Sequence, residues 1–231
     1  MPVQRQAQPN ATYVIAIDGP AAAGKGTVAK LLASDLGLAY LDSGKIYRTI
    51  ALRADAAGVE PDDDVGMRRI AAELHYSDFA GLENLSGKAG RLAAKFAAYP
   101  NVRTDAVEIQ RRVAAEELTS RPGIVIDGRD IGTVVFPDAF VKLYVTASPE
   151  ARAKRRHSEL VARGEEVTLE QVLQDLNERD HRDSARATAP LIQAADAVLL
   201  DTTEMTIDDA ADAARRIVEA ARARWEQSRS G

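Results

Sequence analysis

Strands and helices alternate along most of the 231-residue chain, which predicts an α/β fold: three layers around a mainly parallel sheet of five strands. Three observations carry this expectation. An apolar run at 13–17 passes through a glycine-rich turn straight into a helical pattern at 28–36. Four more short apolar runs, at 38–41, 123–127, 141–145 and 196–201, recur with helix-like segments between them. No internal repeat or low-complexity linker divides the chain, so a single domain over 13–225 is expected.

The first strand leads into the chemistry. Tyr13-Val-Ile-Ala-Ile17 has the length and β-branched content of a buried strand. After Asp18 come Gly19, Pro20, Ala21, Ala22, Ala23, Gly24, Lys25, Gly26 and Thr27, and then the helix. Free N–H groups at a helix start, with the dipole behind them, attract a polyphosphate. Gly19, Gly24 and Gly26 let the backbone curl around it, and Lys25 can reach the outer phosphates as a point charge. The usual phosphate-loop pattern places Ser or Thr directly after the lysine. Here Gly26 intervenes, a variant associated with nucleoside monophosphate kinases. A glycine turn that merely contained a lysine would not need strand, loop and helix to agree.

Composition sets limits. Hydrophobic residues make up 45% and charged residues 28%, as in ordinary globular proteins. The net charge of −5 argues against a general nucleic-acid binder, so any anion site must be built from local arginines. The absence of cysteine excludes disulfides and thiolate-held zinc. The three histidines are too scattered to suggest a metal site, and no apolar stretch approaches membrane-spanning length. Residues 1–12 are polar and lack the apolar core of a secretory signal. A disordered leader, a cytoplasmic setting and a monomer are expected.

The elements follow in order. After the strand at 38–41, Asp42-Ser43-Gly44 turns the chain, and Ser43 is a reasonable cap for a helix carrying Ile46, Tyr47 and Ile50. Arg48 then sits just past a strand end, where open α/β sheets bind ligands. Alone it would be a solvated arginine. Residues 58–64 form an acidic loop, 65–74 a helix, and 77–90 carry little periodicity. A helix at 91–98 is interrupted by Pro100-Asn-Val-Arg103 before another at 105–118. The strand at 123–127 ends in Asp127, the form of the second phosphate-site motif, whose acid faces magnesium directly or through water. Gly128-Arg129-Asp130 follows, and the charged pair beside that acid favours a functional turn over a plain polar one. Ser148 caps a helix with Pro149 at its first position. Arg152, Arg155 and Arg156 share one face of it, either a solvated stripe or a cover for a triphosphate. Thr168 opens a helix on which Arg179, Asp183 and Arg186 face one way if it persists so far. An amphipathic helix at 206–225 closes the chain, with 226–231 expected to fray.

With these residues in view, the chain resembles bacterial cytidylate kinases over nearly its whole length. The likeness rests on Ile17-Asp-Gly-Pro-Ala-Ala-Ala-Gly-Lys-Gly-Thr27, Leu41-Asp-Ser-Gly-Lys-Ile-Tyr-Arg48, Ile126-Asp-Gly-Arg-Asp-Ile-Gly-Thr-Val-Val-Phe-Pro-Asp138 and Arg179-Asp-His-Arg-Asp-Ser-Ala-Arg-Ala-Thr-Ala-Pro-Leu191. The resemblance implies transfer of the γ-phosphoryl of ATP, with Mg2+, to CMP or dCMP. It implies a monophosphate-binding segment over 42–120 and a lid with substrate-contacting helices over about 152–186. Carried over by motif, Arg48, Arg129 and Arg186 would hold the acceptor phosphate, and Arg179 and Asp183 would meet the ribose. Arg103 and Asp130 would read the cytosine edge, Ser43 and Tyr47 would line the pocket, and Arg155 would be the lid arginine. Lys25, Arg129, Arg155 and Arg186 would thus be the catalytic set. Two departures stand out. An insert that many members carry is cut down here to about 77–90, and Ala94 stands where many have a serine touching the base.

A phosphate monoester has a second pKa near about 6, so this acceptor needs charge neutralisation and in-line positioning more than a general base. A kinase acting on a hydroxyl would need such a base, and a GTP-dependent switch would need an Asn-Lys-x-Asp stretch that is absent.

Overall fold

The structure, a computed structural model, describes residues 13–80, 87–186 and 188–230. The expected leader and residues 81–86 lie outside it. In chain order the elements are β1 (Val14–Asp18), α1 (Lys25–Leu36), β2 (Ala39–Asp42), α2 (Ser43–Ala57), α3 (Asp64–Ala72), α4 (Ser77–Ala80), α5 (Gly87–Phe96) and α6 (Pro100–Glu117). They continue with β3 (Ile124–Asp127), a π-helical turn (Ile131–Val135), β4 (Val141–Thr146), α7 (Pro149–Ala162), α8 (Leu169–Ser184), β5 (Val198–Asp201) and α9 (Ile207–Ser230).

Among the described residues the five strands form one all-parallel sheet in the order β2-β3-β1-β4-β5. Successive strand residues point to opposite faces, and β1 supplies both. Val14 and Ala16 join Leu41, Ile126 and residues of α2, α3, α5 and α6 in one core. Ile15 and Ile17 join Leu143, Val145 and residues of α1 and α9 in the other. The three layers follow from that alternation. A smaller cluster, Ala153, Val172 and Leu176, packs the α7–α8 pair onto Ala21 of the glycine-rich loop.

Several boundaries differ from the sequence reading, each for a local reason. α1 starts at Lys25 because Gly24, at φ 86°, caps it in a left-handed conformation. Gly26 therefore lies in the helix and is not a turn glycine, whereas Ala22 adopts φ 59° in the loop. Ser43 is not a cap: Asp42 occupies that position with no side-chain cap bond. Asp63 of the acidic loop caps α3 by accepting from the Gly66 N–H at 3.0 Å. Pro100 does not interrupt a helix but opens α6 at its first position, where a missing N–H costs nothing. Ser148 and Thr168 cap α7 and α8 as expected, Thr168 in a capping box with Gln171. α8 ends at Ser184, short of Arg186. α9 runs on to Ser230, so the expected frayed tail is helical through that residue, with Arg222 bonded to Glu226 one turn on at 3.0 Å.

Gly19 holds the loop against the sheet. Its φ is 144°, and a Cβ there would stand 1.9 Å from the Val145 carbonyl oxygen of β4. Gly19→Ala should therefore cost about 3 kcal/mol, seen as a lower urea midpoint with an unchanged slope. An unaltered midpoint would show that the approach is not tight.

Candidate active site

The parallel register brings the carboxyl ends of β1, β2 and β3 together. Ile17 and Asp42 both lie beside Asp127. Asp18, Lys25 and Asp127 are all buried there. Lys25 Nζ donates to the Pro20 carbonyl at 2.7 Å, folding back over the loop. Burial, with Arg129 adding to it, pushes its pKa down to about 7, against the pull of Asp127. Asp127 is pushed up to about 6, by burial first and then by Asp42, while Lys25 and the Tyr40 hydroxyl oppose the shift. That hydroxyl donates to Asp127 Oδ1 at 3.0 Å. Gly26 lies beside the acid, since a Cβ there would make an ordinary contact with Asp127 Oδ2 at 3.5 Å.

Asp18 carries a different load. Its two oxygens accept the backbone N–H groups of Ile131 at 2.9 Å and Gly132 at 2.7 Å. Burial raises its pKa to about 6 in spite of those bonds. The turn it holds presents Arg129 and Asp130. Asp130 and Arg103 of α6 form a buried ion pair at 2.7 Å. Arg129 Nε bonds Asp183 Oδ2 at 3.0 Å, and Arg186 takes the other oxygen of Asp183. The two arginines thus meet at one buried carboxylate, although Arg186 reaches it from beyond the helix. Arg48 is paired with Asp42 at 2.9 Å. Arg179 is exposed as a residue, yet the protein around its guanidinium lowers its pKa to about 10, with repulsion from Arg129 and Arg48 adding to the shift.

Tyr47 lies beneath this group. Its hydroxyl is buried with no hydrogen-bond partner, and its pKa is pushed up to about 12 by burial and the nearby Asp130. The Arg103 guanidinium stands 5.9 Å from its ring centre. Ser43 is buried against the turn, since a Cβ on Gly128 would come within 2.6 Å of its hydroxyl. A cavity of about 620 Å³ opens beside these residues, bordered by Ala94, Ala97, Arg103, His181 and Arg186.

The arginines of α7 go elsewhere. Arg152 is buried and bonds the carbonyls of Ala147 and Ala21 and, at 2.6 Å, Asp180. It fixes α7 to the loop and is not part of a cationic cover. Arg155 donates to the hydroxyl and carbonyl of Thr202, whose hydroxyl also lies 3.1 Å from the Ala23 carbonyl. Arg156 pairs with Glu159 on the surface. Asp18 and Tyr40 were given no role from the sequence. Asp18 had a signal, because it ends an apolar strand just as Asp127 does.

What this arrangement offers a ligand is positive charge in fixed places beside a phosphate loop, which is the equipment of a P-loop phosphotransferase. The sequence agrees. Residues 15–220 match the cytidylate kinase family model. A cytidylate kinase of Caulobacter sp. strain K31 is 53% identical over 92% of this chain and 97% of its own length. One from Rhizobium meliloti strain 1021 is 49% identical over 91% of this chain and 97% of its own. The chain belongs to the cytidylate kinase family. Among solved structures, TT1252 from Thermus thermophilus shares the fold at 21% identity, with a TM-score of 0.50 over 90% of this chain and 97% of that one.

The raised pKa of Asp127 has a sign. Its folded value of about 6 lies above the unfolded 3.8, so the folded state binds the extra proton and loses stability as pH rises through that window. Asp127→Asn removes this cost. Without nucleotide or divalent cation, the variant should gain about 1–3 kcal/mol on the wild type between about pH 4.5 and about pH 7.5. Urea midpoints of both proteins at both pH values check this, and a constant difference would contradict it.

Proposed function

We propose that this protein transfers the γ-phosphoryl group of ATP to CMP or dCMP, giving ADP and the nucleoside diphosphate. One observation carries the reading: Arg129, Arg179 and Arg186, from two separate segments, gather beside the phosphate loop with the buried Arg103–Asp130 pair. Residues 19–27 would cradle the ATP phosphates, with Lys25 leaving the Pro20 carbonyl for them. The residues at the loop suit Mg2+, because Asp127 is a buried carboxylate whose charge is poorly compensated. Asp127, directly or through water, and the Thr27 hydroxyl would hold the ion, which supplies charge neutralisation to the donor phosphates. Arg48, Arg129 and Arg186 would take the acceptor phosphate, exchanging their carboxylate partners for its oxygens. Arg179 and Asp183 would orient the ribose. The acceptor is already ionised, so these side chains position and neutralise and no proton need be abstracted. The α7–α8 pair would act as the lid, with Arg155 moving from Thr202 on closure. The substrates are multiply charged and do not cross a bilayer unaided, which supports a reaction in the cytoplasm, where nucleotides are kept.

The test is turnover of ATP with CMP, dCMP and AMP. CMP and dCMP should serve well and AMP negligibly, and Lys25→Ala should remain folded while losing activity by about two orders of magnitude or more. Near-normal turnover in that variant would remove the loop from the mechanism.

Arg129→Ala and Arg186→Ala should each weaken CMP by about 1.5–3 kcal/mol, the worth of a charge-assisted bond, and leave ATP nearly unaffected. Calorimetric titration of both nucleotides decides the matter. Equal losses for the two would place these arginines on the donor side.

A further inference from the structure

We propose that Asp18 is a positioning residue that sets the acceptor-reading turn against the donor loop. The inference rests on the acceptor-side reading of Arg129 and Asp130. Asp18 is the last residue of β1, and Gly19 after it opens the phosphate loop. The backbone of this residue therefore belongs to the donor side. Its side chain reaches across to another segment, where its two oxygens each accept one backbone N–H, from Ile131 and Gly132. Those amides begin the π-helical turn Ile131–Val135, directly after Arg129 and Asp130. Such turns lack the regular hydrogen bonds of an α-helix and need outside partners at their first N–H groups.

The consequence is geometric. Arg129 and Asp130 each pair with a residue of a different element, Asp183 and Arg103. If the turn shifts, both pairs shift together. In-line transfer requires the acceptor oxygen to be placed to within a fraction of an ångström of the donor. One carboxylate that is continuous with the loop and bonded to the turn fixes that offset. A carboxylate suits the task because both oxygens accept. A serine offers one acceptor and alanine none. Gly132 lets the turn come this close, since a Cβ there would meet the Lys142 side chain at 3.1 Å and Asp18 Oδ2 at 3.4 Å.

The experiment compares wild type, Asp18→Ser and Asp18→Ala by titration with CMP and with a non-hydrolysable ATP analogue. The expected result is graded. The CMP Kd rises severalfold in the serine variant and about tenfold or more in the alanine variant, while the analogue's Kd stays within about threefold. A residue that only stabilised the fold would lower the melting temperature without separating the two ligands. Equal weakening of both ligands, or no weakening of CMP in a folded variant, overturns the proposal. If neither variant folds, hydrogen exchange of the Ile131 and Gly132 amides in the wild type decides, and unprotected amides overturn it. A wild type that does not bind CMP would instead overturn the reading of the acceptor site, so the two failures are distinct.

Discussion

The constraint on which this site depends is the register of the parallel sheet. Pairing β1 and β2 with β3 sets Asp18, Asp42 and Asp127 along one edge, at the mouth of the phosphate loop. Three carboxylates in so small a space are costly, and their neighbours answer each of them separately. Asp18 is given two amide N–H groups, Asp42 an arginine, and Asp127 a tyrosine hydroxyl with a lysine nearby. Burial still keeps Asp18 and Asp127 near about 6. The residual demand for positive charge at Asp127 is what a divalent cation would meet.

Beyond that edge the pattern is inverted. Arginines are in excess, and buried carboxylates hold them. Asp183 takes two, Arg129 and Arg186, and Asp130 takes Arg103. Buried pairs of this kind contribute little net stability, because desolvation offsets most of the attraction. Their value is directional. Each arginine is held and aimed in advance, so binding exchanges one partner for another and little rearrangement is required.

Much of this was legible in the chain. The phosphate loop could be read because its strand, glycines, lysine and helix are adjacent in sequence, and Asp127 because it ends a second apolar strand. All five strands were recognisable as short apolar runs, although in β5 only Leu200 is buried. Other features required the third dimension. Arg186 meets Arg129 at Asp183, but across a turn past the end of α8 and not along a continuous helix face. The α7 arginines looked alike in a helical projection, yet Arg152 is an anchor, Arg155 is bonded to Thr202, and Arg156 is at the surface. Tyr40 gave no signal at all, since its partner is 87 residues away. The turn after β3 drew notice for Arg129 and Asp130, but what orders it could not be read, because its partner Asp18 lies 113 residues earlier than Ile131.

The central proposal is that the buried Arg103–Asp130 pair would make a phosphate-handling fold selective for cytosine. Cytosine presents an acceptor and an amino donor where uracil presents a donor and a carbonyl. Arg103 would then serve the first and Asp130 the second, and against uracil each faces a group of its own kind. Each such mismatch costs about 1–3 kcal/mol, enough for a large preference. Ala94, lining the same cavity, offers the base no hydrogen bond. The measurement is kcat/KM for CMP and UMP with wild type and Asp130→Asn, whose amide can donate to the uracil carbonyl. The account predicts a strong preference for CMP in the wild type and a narrower ratio in the variant. Equal efficiency for the two nucleotides in the wild type, or the same ratio in both proteins, would contradict it.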